Sequence, residues 1–278
     1  MNGEYRIDDI FNGKSIKQTL NMYSFYIYLM EHFPKRVATG IKGFDELVEG
    51  GLLEGTQTLV CGSPGTGKSI FCLQFLYHGL IFGDNGLYVT IDEKPEILLE
   101  QAKKLGMNLK HFSDENRFRI IKCPMDVANY DLLKVIKQEA ESVKAKRLVI
   151  DDISIIGVNC DLYRLPIKTS FGSEAPKDRF ASATERSKQF IYLYLERLKE
   201  YGFTTLIAGD SVNHSGFFTR DTVSEFMCDG IIELKMITMG KTVQRTLEVK
   251  KMKTTVVKTG LNSMEITDNG IVAKEFEY

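Results

Sequence analysis

The stretch Leu59–Phe71 reads LVCGSPGTGKSIF, and its reading decides the rest of the chain. Gly62-Ser63-Pro64-Gly65-Thr66-Gly67-Lys68-Ser69 fits G-x-x-x-x-G-K-[ST] at every position. An apolar run, 57–61, precedes it and an apolar-periodic segment near 69–82 follows, which is the strand–loop–helix context the pattern needs. Glycines let successive backbone N–H groups turn inward around an anion, and the helix N-terminus adds partial positive charge. Lys68 is then placed to reach the β- and γ-phosphates of a nucleotide, and the Ser69 hydroxyl to ligate Mg2+. The expected cradle runs from Gly62 to Ile70. A Gly-rich turn without a ligand is the bland alternative, and eight positions in register weigh against it.

Outward from the cradle, short apolar runs alternate with helical patterns, which predicts an α/β fold with a mostly parallel central sheet flanked by helices. Strands are expected at 57–61, 86–91, 118–121, 147–151 and 204–208, and helices near 69–82, 95–105, 130–143 and 184–200. Residues 229–238, 243–253, 262–266 and 271–275 alternate in period two between short turns, which predicts a C-terminal β-meander. Ile16, Leu20, Tyr23, Ile27 and Met30 share one helix face ahead of Pro34, so residues 1–34 are expected as an N-terminal helical arm on a domain spanning 35–278. That arm packs on its own domain or docks on a neighbouring subunit. Residues 155–183 carry two prolines and no sustained period, the pattern of a long functional loop.

Two acid-bearing strand ends complete the crevice. In KRLVIDD, Asp151 falls at the carboxyl end of a buried strand, the edge that faces ligand in such sheets, where it can hold magnesium. Strand alternation turns Asp152 to the opposite face. LYVTIDEKP ends another apolar strand with Asp92-Glu93, either of which can position and deprotonate an attacking water or cap the helix that follows. In TLEVKKMKTT, alternation carries Val243, Leu247 and Val249 on one face that ends in Lys251 and Lys253. Those lysines are either a solvated strand end or, across a subunit boundary, a counterpart of an arginine finger.

The net charge of −1 argues against a global basic field for nucleic acid. Five dispersed cysteines read as reduced, buried thiols, and the scattered histidines show no zinc-ligand spacing. The opening residues lack a secretory profile, and the apolar run Met22–Met30 is too short to span a bilayer. A cytoplasmic protein without membrane attachment is expected.

In this order the motifs resemble the RecA/KaiC superfamily of P-loop ATPases, and most closely its single-domain KaiC-like, RadA-related members. ATGIKGFDELVEGGLLEGTQTLVCGSPGTGKS is similar to the family's opening into its Walker A loop. FLYHGL, LYVTIDEKPEILLEQAKKLGMNL, KRLVIDD, TVSEFMCDGIIEL and LEVKKMKTT continue the likeness through residues 37–275. The resemblance implies a RecA-like core, ATP with Mg2+, and a homo-oligomeric ring, such as a hexamer, or a filament with ATP between subunits. It also implies that Asp92 stands where the family carries its catalytic glutamate, and that Lys251-Met252-Lys253 replaces K-x-R. Thr255-Val256-Val257 replaces a run with histidine. Aspartate is one methylene shorter and lysine lacks the bidentate fork, so slow hydrolysis is expected.

The reading is therefore an oligomeric, Mg-dependent ATP switch and slow ATPase acting on a protein partner. The alternative is a recombinase paralogue binding single-stranded DNA through residues 155–183 and 211–220. There Arg164, Lys168, Lys177, Arg179, His214 and Arg220 interleave with Tyr163, Phe171, Phe217 and Phe218. Phe180–Ala183 also fits the short F-x-x-A assembly hook. A small-molecule kinase is disfavoured by the late meander and paired lysines.

Overall fold

The computed structural model describes residues 35–163, 182–211, 217–239 and 242–276. The arm expected over residues 1–34 lies outside them.

Strand β1 (Arg36–Val37) pairs antiparallel with β2 (Leu52–Leu53) in a small corner ahead of the main sheet. The corner is held by Asp45, whose carboxylate accepts from the Thr39 N–H at 2.9 Å, the Thr39 hydroxyl at 2.7 Å and the Gly40 N–H at 3.1 Å. Thr39, Gly40 and Asp45 of the family-like opening thus form a hydrogen-bonded turn.

Strands β3 (Gln57–Gly62), β4 (Asn85–Thr90), β5 (Phe118–Lys122), β6 (Ala145–Asp151) and β7 (Thr204–Asp210) then alternate with helices. These helices are α1 (Lys68–Ile81), α2 (Pro95–Lys104), α3 (Leu109–Asp114), α4 (Leu132–Val143), α5 (Ile153–Val158) and α6 (Ala183–Lys199). A short helix α7 (Ser224–Met227) leads into β8 (Gly230–Met239), β9 (Thr242–Met252), β10 (Asn262–Thr267) and β11 (Gly270–Glu275).

Among the described residues one nine-stranded sheet forms, in the order β11-β10-β9-β8-β3-β7-β6-β4-β5. All pairings from β8 to β5 are parallel, and those from β8 outward to β11 are antiparallel. The expected meander is therefore only partly separate, because its first strand is hydrogen-bonded in parallel to β3.

Both faces of the parallel strands are buried, so their sequences read as nearly continuous apolar runs. Period-two alternation sorts them cleanly. Val60, Tyr88, Val149, Leu206 and Ala208 pack against Phe71, Phe75 and Leu76 of α1. Leu59, Cys61, Leu87, Val89, Leu148, Ile150 and Ile207 pack against α4 and α6 through Ile136, Ile191 and Leu195. Each Val, Leu, Ile or Phe among them contributes about 1.5–3 kcal/mol on removal from water. Gln74 ties α1 to the rest of the fold. It donates to Gly40 O at 2.9 Å and Ile271 O at 3.2 Å and accepts from the Ile271 N–H at 2.6 Å.

The segment expected as one loop over 155–183 begins instead within α5, which Asp152 caps by accepting from the Ser154 N–H at 2.6 Å. Its apolar run is too short to show a helical period. Helix α6 opens on a capping box between Ser182 and Glu185.

Candidate functional site

Strand β3 delivers the cradle at its carboxyl end, and two backbone requirements fix the glycines. A Cβ on Gly62 would stand 2.5 Å from Leu234 O, and Gly67 enters α1 at φ +109°, a region that excludes most side chains. Ser63 and Ser69 are half-buried, Pro64 and Gly65 exposed, and Thr66 turns its hydroxyl onto Ser63 O at 2.8 Å. Ile70 is half-buried and packs against the α1 side of the core. On the meander side, Arg245 of β9 donates to Gly65 O at 3.3 Å.

Lys68 begins α1 and is buried. Its ammonium donates to Gly62 O at 2.9 Å, to Ser63 O at 3.5 Å and to Asp210 Oδ1 at 2.9 Å. Asp210 closes β7, two residues beyond the expected strand end. Alternation through Leu206 and Ala208 puts it on the cradle face, one period-two step past the strand end expected from sequence.

The same alternation carries Asp151 past Val149 onto the α1 face, beside Ser69 and Tyr88. Tyr88, fully buried, donates its phenol proton to Asp151 Oδ2, and the Ser69 hydroxyl lies near enough to the same carboxylate to favour its ionised form. Burial pushes the Asp151 carboxyl up. The Tyr88 hydrogen bond and the Ser69 hydroxyl oppose that rise and the nearby Asp92 charge adds to it. Ser69 and Asp151 thus form an oxygen-donor pair at the helix start, the donor chemistry that suits Mg2+. Neither Tyr88 nor Asp210 was a candidate from sequence. A tyrosine in a buried strand reads as core until its hydroxyl is given a partner.

Asp92 and Glu93 follow β4 in an irregular turn. Asp92 is exposed, accepts from the Glu93 N–H at 2.9 Å, and its charge acts on Asp151. Glu93 is half-buried, and its backbone carbonyl accepts from Thr90 Oγ1 at 3.2 Å. The capping alternative fails for both, since Lys94 precedes α2 and no side chain caps it. Asp152 instead has the capping role, buried at the start of α5, and burial pushes its carboxyl up to about 7.

The lysine pair sits elsewhere. Lys251 pairs with Ile231 and Leu234 with the level of Gly62, which puts about 10 Å of strand between the lysines and their own cradle. A bulge between Ile231 and Ile232 breaks the expected alternation. Met252, rather than Lys251, continues the core face of Leu247 and Val249, while Val243 is exposed. Lys251 donates to Cys228 O at 2.7 Å and Glu225 O at 3.3 Å, and Lys253 to Asp229 Oδ1 at 2.9 Å.

Of the basic and aromatic residues expected to meet DNA, Arg164, Lys168, Phe171, Lys177, Arg179 and His214 lie outside the described residues, as do Phe180 and Ala181 of the assembly hook. Tyr163 is 4% exposed and packs beside Phe190, so it offers no ring for stacking. Phe217 is exposed and Phe218 half-buried against the core. All five cysteines are free and buried. No helix of the described residues is long and apolar enough to cross a membrane.

A phosphate cradle at a parallel strand end, with a lysine, a hydroxyl and a strand-end carboxylate converging on it, defines a P-loop nucleotide-binding protein. The chain matches the sequence model of the ATPase family KaiC over residues 37–163 and 180–277. It therefore belongs to the KaiC family of ATPases. It is 31% identical over 248 residues to the circadian clock oscillator protein KaiC of Prochlorococcus marinus subsp. pastoris, covering 86% of this chain and 45% of that one. To its counterpart in Synechococcus elongatus it is 30% identical over 246 residues, covering 85% and 43%. The chain thus spans less than half the length of these relatives. A crystal structure of a KaiC-like protein from Pyrococcus horikoshii OT3 superposes with a TM-score of 0.72 at 29% identity, covering 87% of this chain and 99% of that one. The RecA-like core expected from sequence is the observed architecture.

Proposed function

We propose that this chain binds Mg·ATP in the Gly62–Ile70 cradle and hydrolyses it slowly, as the nucleotide-driven switch of a homo-oligomer. The observation that carries the reading is the convergence of Lys68, Ser69 and Asp151 at one strand-end crevice. Lys68 and the loop N–H groups bind the phosphates, while Ser69 and Asp151 hold the cation. Bound Mg2+ supplies charge neutralisation on the β- and γ-phosphate oxygens. Asp92 orients the attacking water and takes its proton, a role supported by its exposure at the end of β4, near enough for its charge to act on Asp151. Its short side chain suits slow turnover. Lys251 and Lys253 lie too far from their own cradle to serve it, which supports their acting on a neighbour's phosphates. A protein that reads the assembly state is the partner this reading calls for, in the cytoplasm.

ATP hydrolysis by wild type, Asp92→Asn and Glu93→Gln tests the assignment. Asp92→Asn is expected to lower kcat by about 10²-fold or more, with Glu93→Gln close to wild type. Full activity in Asp92→Asn contradicts the assigned base, and a larger loss in Glu93→Gln moves the role there.

A further inference from the structure

The P-loop pattern accounts for Lys68 but not for the carboxylate that holds it. Three acids crowd this part of the sheet edge, and two are occupied. Asp151 is engaged by Tyr88 and Ser69, and Asp152 caps α5. Asp210 alone is aimed at the lysine, at 2.9 Å, and the pair is partly shielded, with side-chain exposures of 10% for Lys68 and 26% for Asp210. The strand order places β7 between β3 and β6, so Asp210 stands between the cradle and the Asp151 carboxylate. Its position is built in. The Asp210 N–H donates to Ser154 Oγ at 3.0 Å, its carbonyl accepts from the Arg220 N–H at 3.0 Å, and the next N–H, Ser211, donates to Gly62 O at 3.2 Å.

A nucleotide lying in this loop adds each further phosphate toward the metal carboxylate, and Lys68 spans the β and γ positions. The terminal phosphate of a triphosphate must therefore take Lys68 from Asp210 and then sit beside that like charge. A diphosphate engages Lys68 from the β position alone and stops short of the Asp210 charge. We infer that Asp210 is a specificity-determining residue of the cradle, which competes with the γ-phosphate for Lys68 and biases the site toward ADP relative to ATP. On departure of the γ-phosphate Asp210 recaptures Lys68, so the post-hydrolysis state is the favoured one. This rests on the ATP reading above and adds a residue that reading does not use.

Calorimetric Kd values for ADP and for the β,γ-imido analogue of ATP, both with saturating Mg2+, test it on the full chain. Asp210→Asn is expected to tighten the triphosphate about tenfold, equivalent to 1.4 kcal/mol, and to change ADP by less than about threefold. Asp210→Glu, which keeps the charge, should return the ratio of the two Kd values toward wild type. Asp210→Ser serves as a second neutral variant, with folding checked by circular dichroism. An unchanged ratio in the folded neutral variants, or a weaker triphosphate, overturns the inference while the ATP reading stands. Wild type that binds neither nucleotide overturns the ATP reading and this inference with it.

Discussion

Tyr88 reaches Asp151 from within the core, and that contact leaves the carboxylate one oxygen committed to protein while Ser69 approaches beside it. A hydrogen-bonded partner of this kind orients a metal-ligating carboxylate, and its loss typically lowers metal affinity 10- to 100-fold. Tyr88→Phe keeps the packing volume and removes only the hydroxyl. It should raise the Mg2+ concentration needed for half-maximal nucleotide binding by about tenfold, with little change in binding at saturating Mg2+. A titration of nucleotide affinity against Mg2+ reads this directly, and an unshifted midpoint refutes the orienting role. At this scale the sequence was legible where a motif has fixed spacing, as for Lys68 and Ser69, and where an acid ends a long apolar run, as for Asp151. Tyr88 was not, because a tyrosine in a buried strand gains its role only from a partner distant in sequence, and Asp210 was not, because its strand runs one period-two step past the end of the apolar run.

Among the elements, long apolar strands and amphipathic helices were legible within a residue or two at most boundaries, because each buries a continuous face. What escaped was short or depended on register. Helix α3 spans Leu109–Asp114 and α5 Ile153–Val158, each below the two turns over which a period becomes visible. The β9 bulge inverts the expected facing of Lys251 relative to Val249, and nothing local in TLEVKKMKTT marks it. The corner that receives the lysines is also a stability element. Asp229 accepts from Lys253 at 2.9 Å and from the Gln57 N–H at 3.2 Å, with Lys199 at 3.4 Å. Burial pushes its carboxyl up, yet the hydrogen bonds from Lys253 and Gln57 and the Lys199 charge outweigh burial and hold it below the usual range. A depressed folded-state pKa contributes stability that is present above the unfolded value of about 3.9 and lost as pH falls through the folded one. Asp229→Asn should therefore cost about 1 kcal/mol at neutral pH, with the difference from wild type shrinking below about pH 4. Urea unfolding at both pH values measures it, and a cost that persists undiminished in acid assigns the effect to something other than the ionised carboxylate.

At the scale of the whole molecule, the described chain holds a cradle at one sheet edge and a lysine pair near the opposite ends of the same strands. A head-to-tail contact between copies brings such separated patches together, and if its rotation closes it makes a ring. Lys251 and Lys253 are tied to Cys228 O, Glu225 O and Asp229 within their own chain. The proposed trans role thus requires them to exchange those partners for a neighbour's phosphate. ATP with Mg2+ should accordingly raise the mass seen by light scattering, whereas a monomer under every condition removes the shared site. The most direct measurement mixes two defective chains. Lys68→Ala lacks the cradle cation, and Lys251→Gln with Lys253→Gln lacks the donated lysines, so each is expected to be nearly inactive alone. In an equal mixture, head-to-tail contacts join an intact cradle to an intact lysine pair at about a quarter of the interfaces, and ATPase activity should recover toward that fraction of wild type. A mixture no more active than the sum of its parts, from chains that assemble with one another as wild type does, would contradict a site shared between subunits.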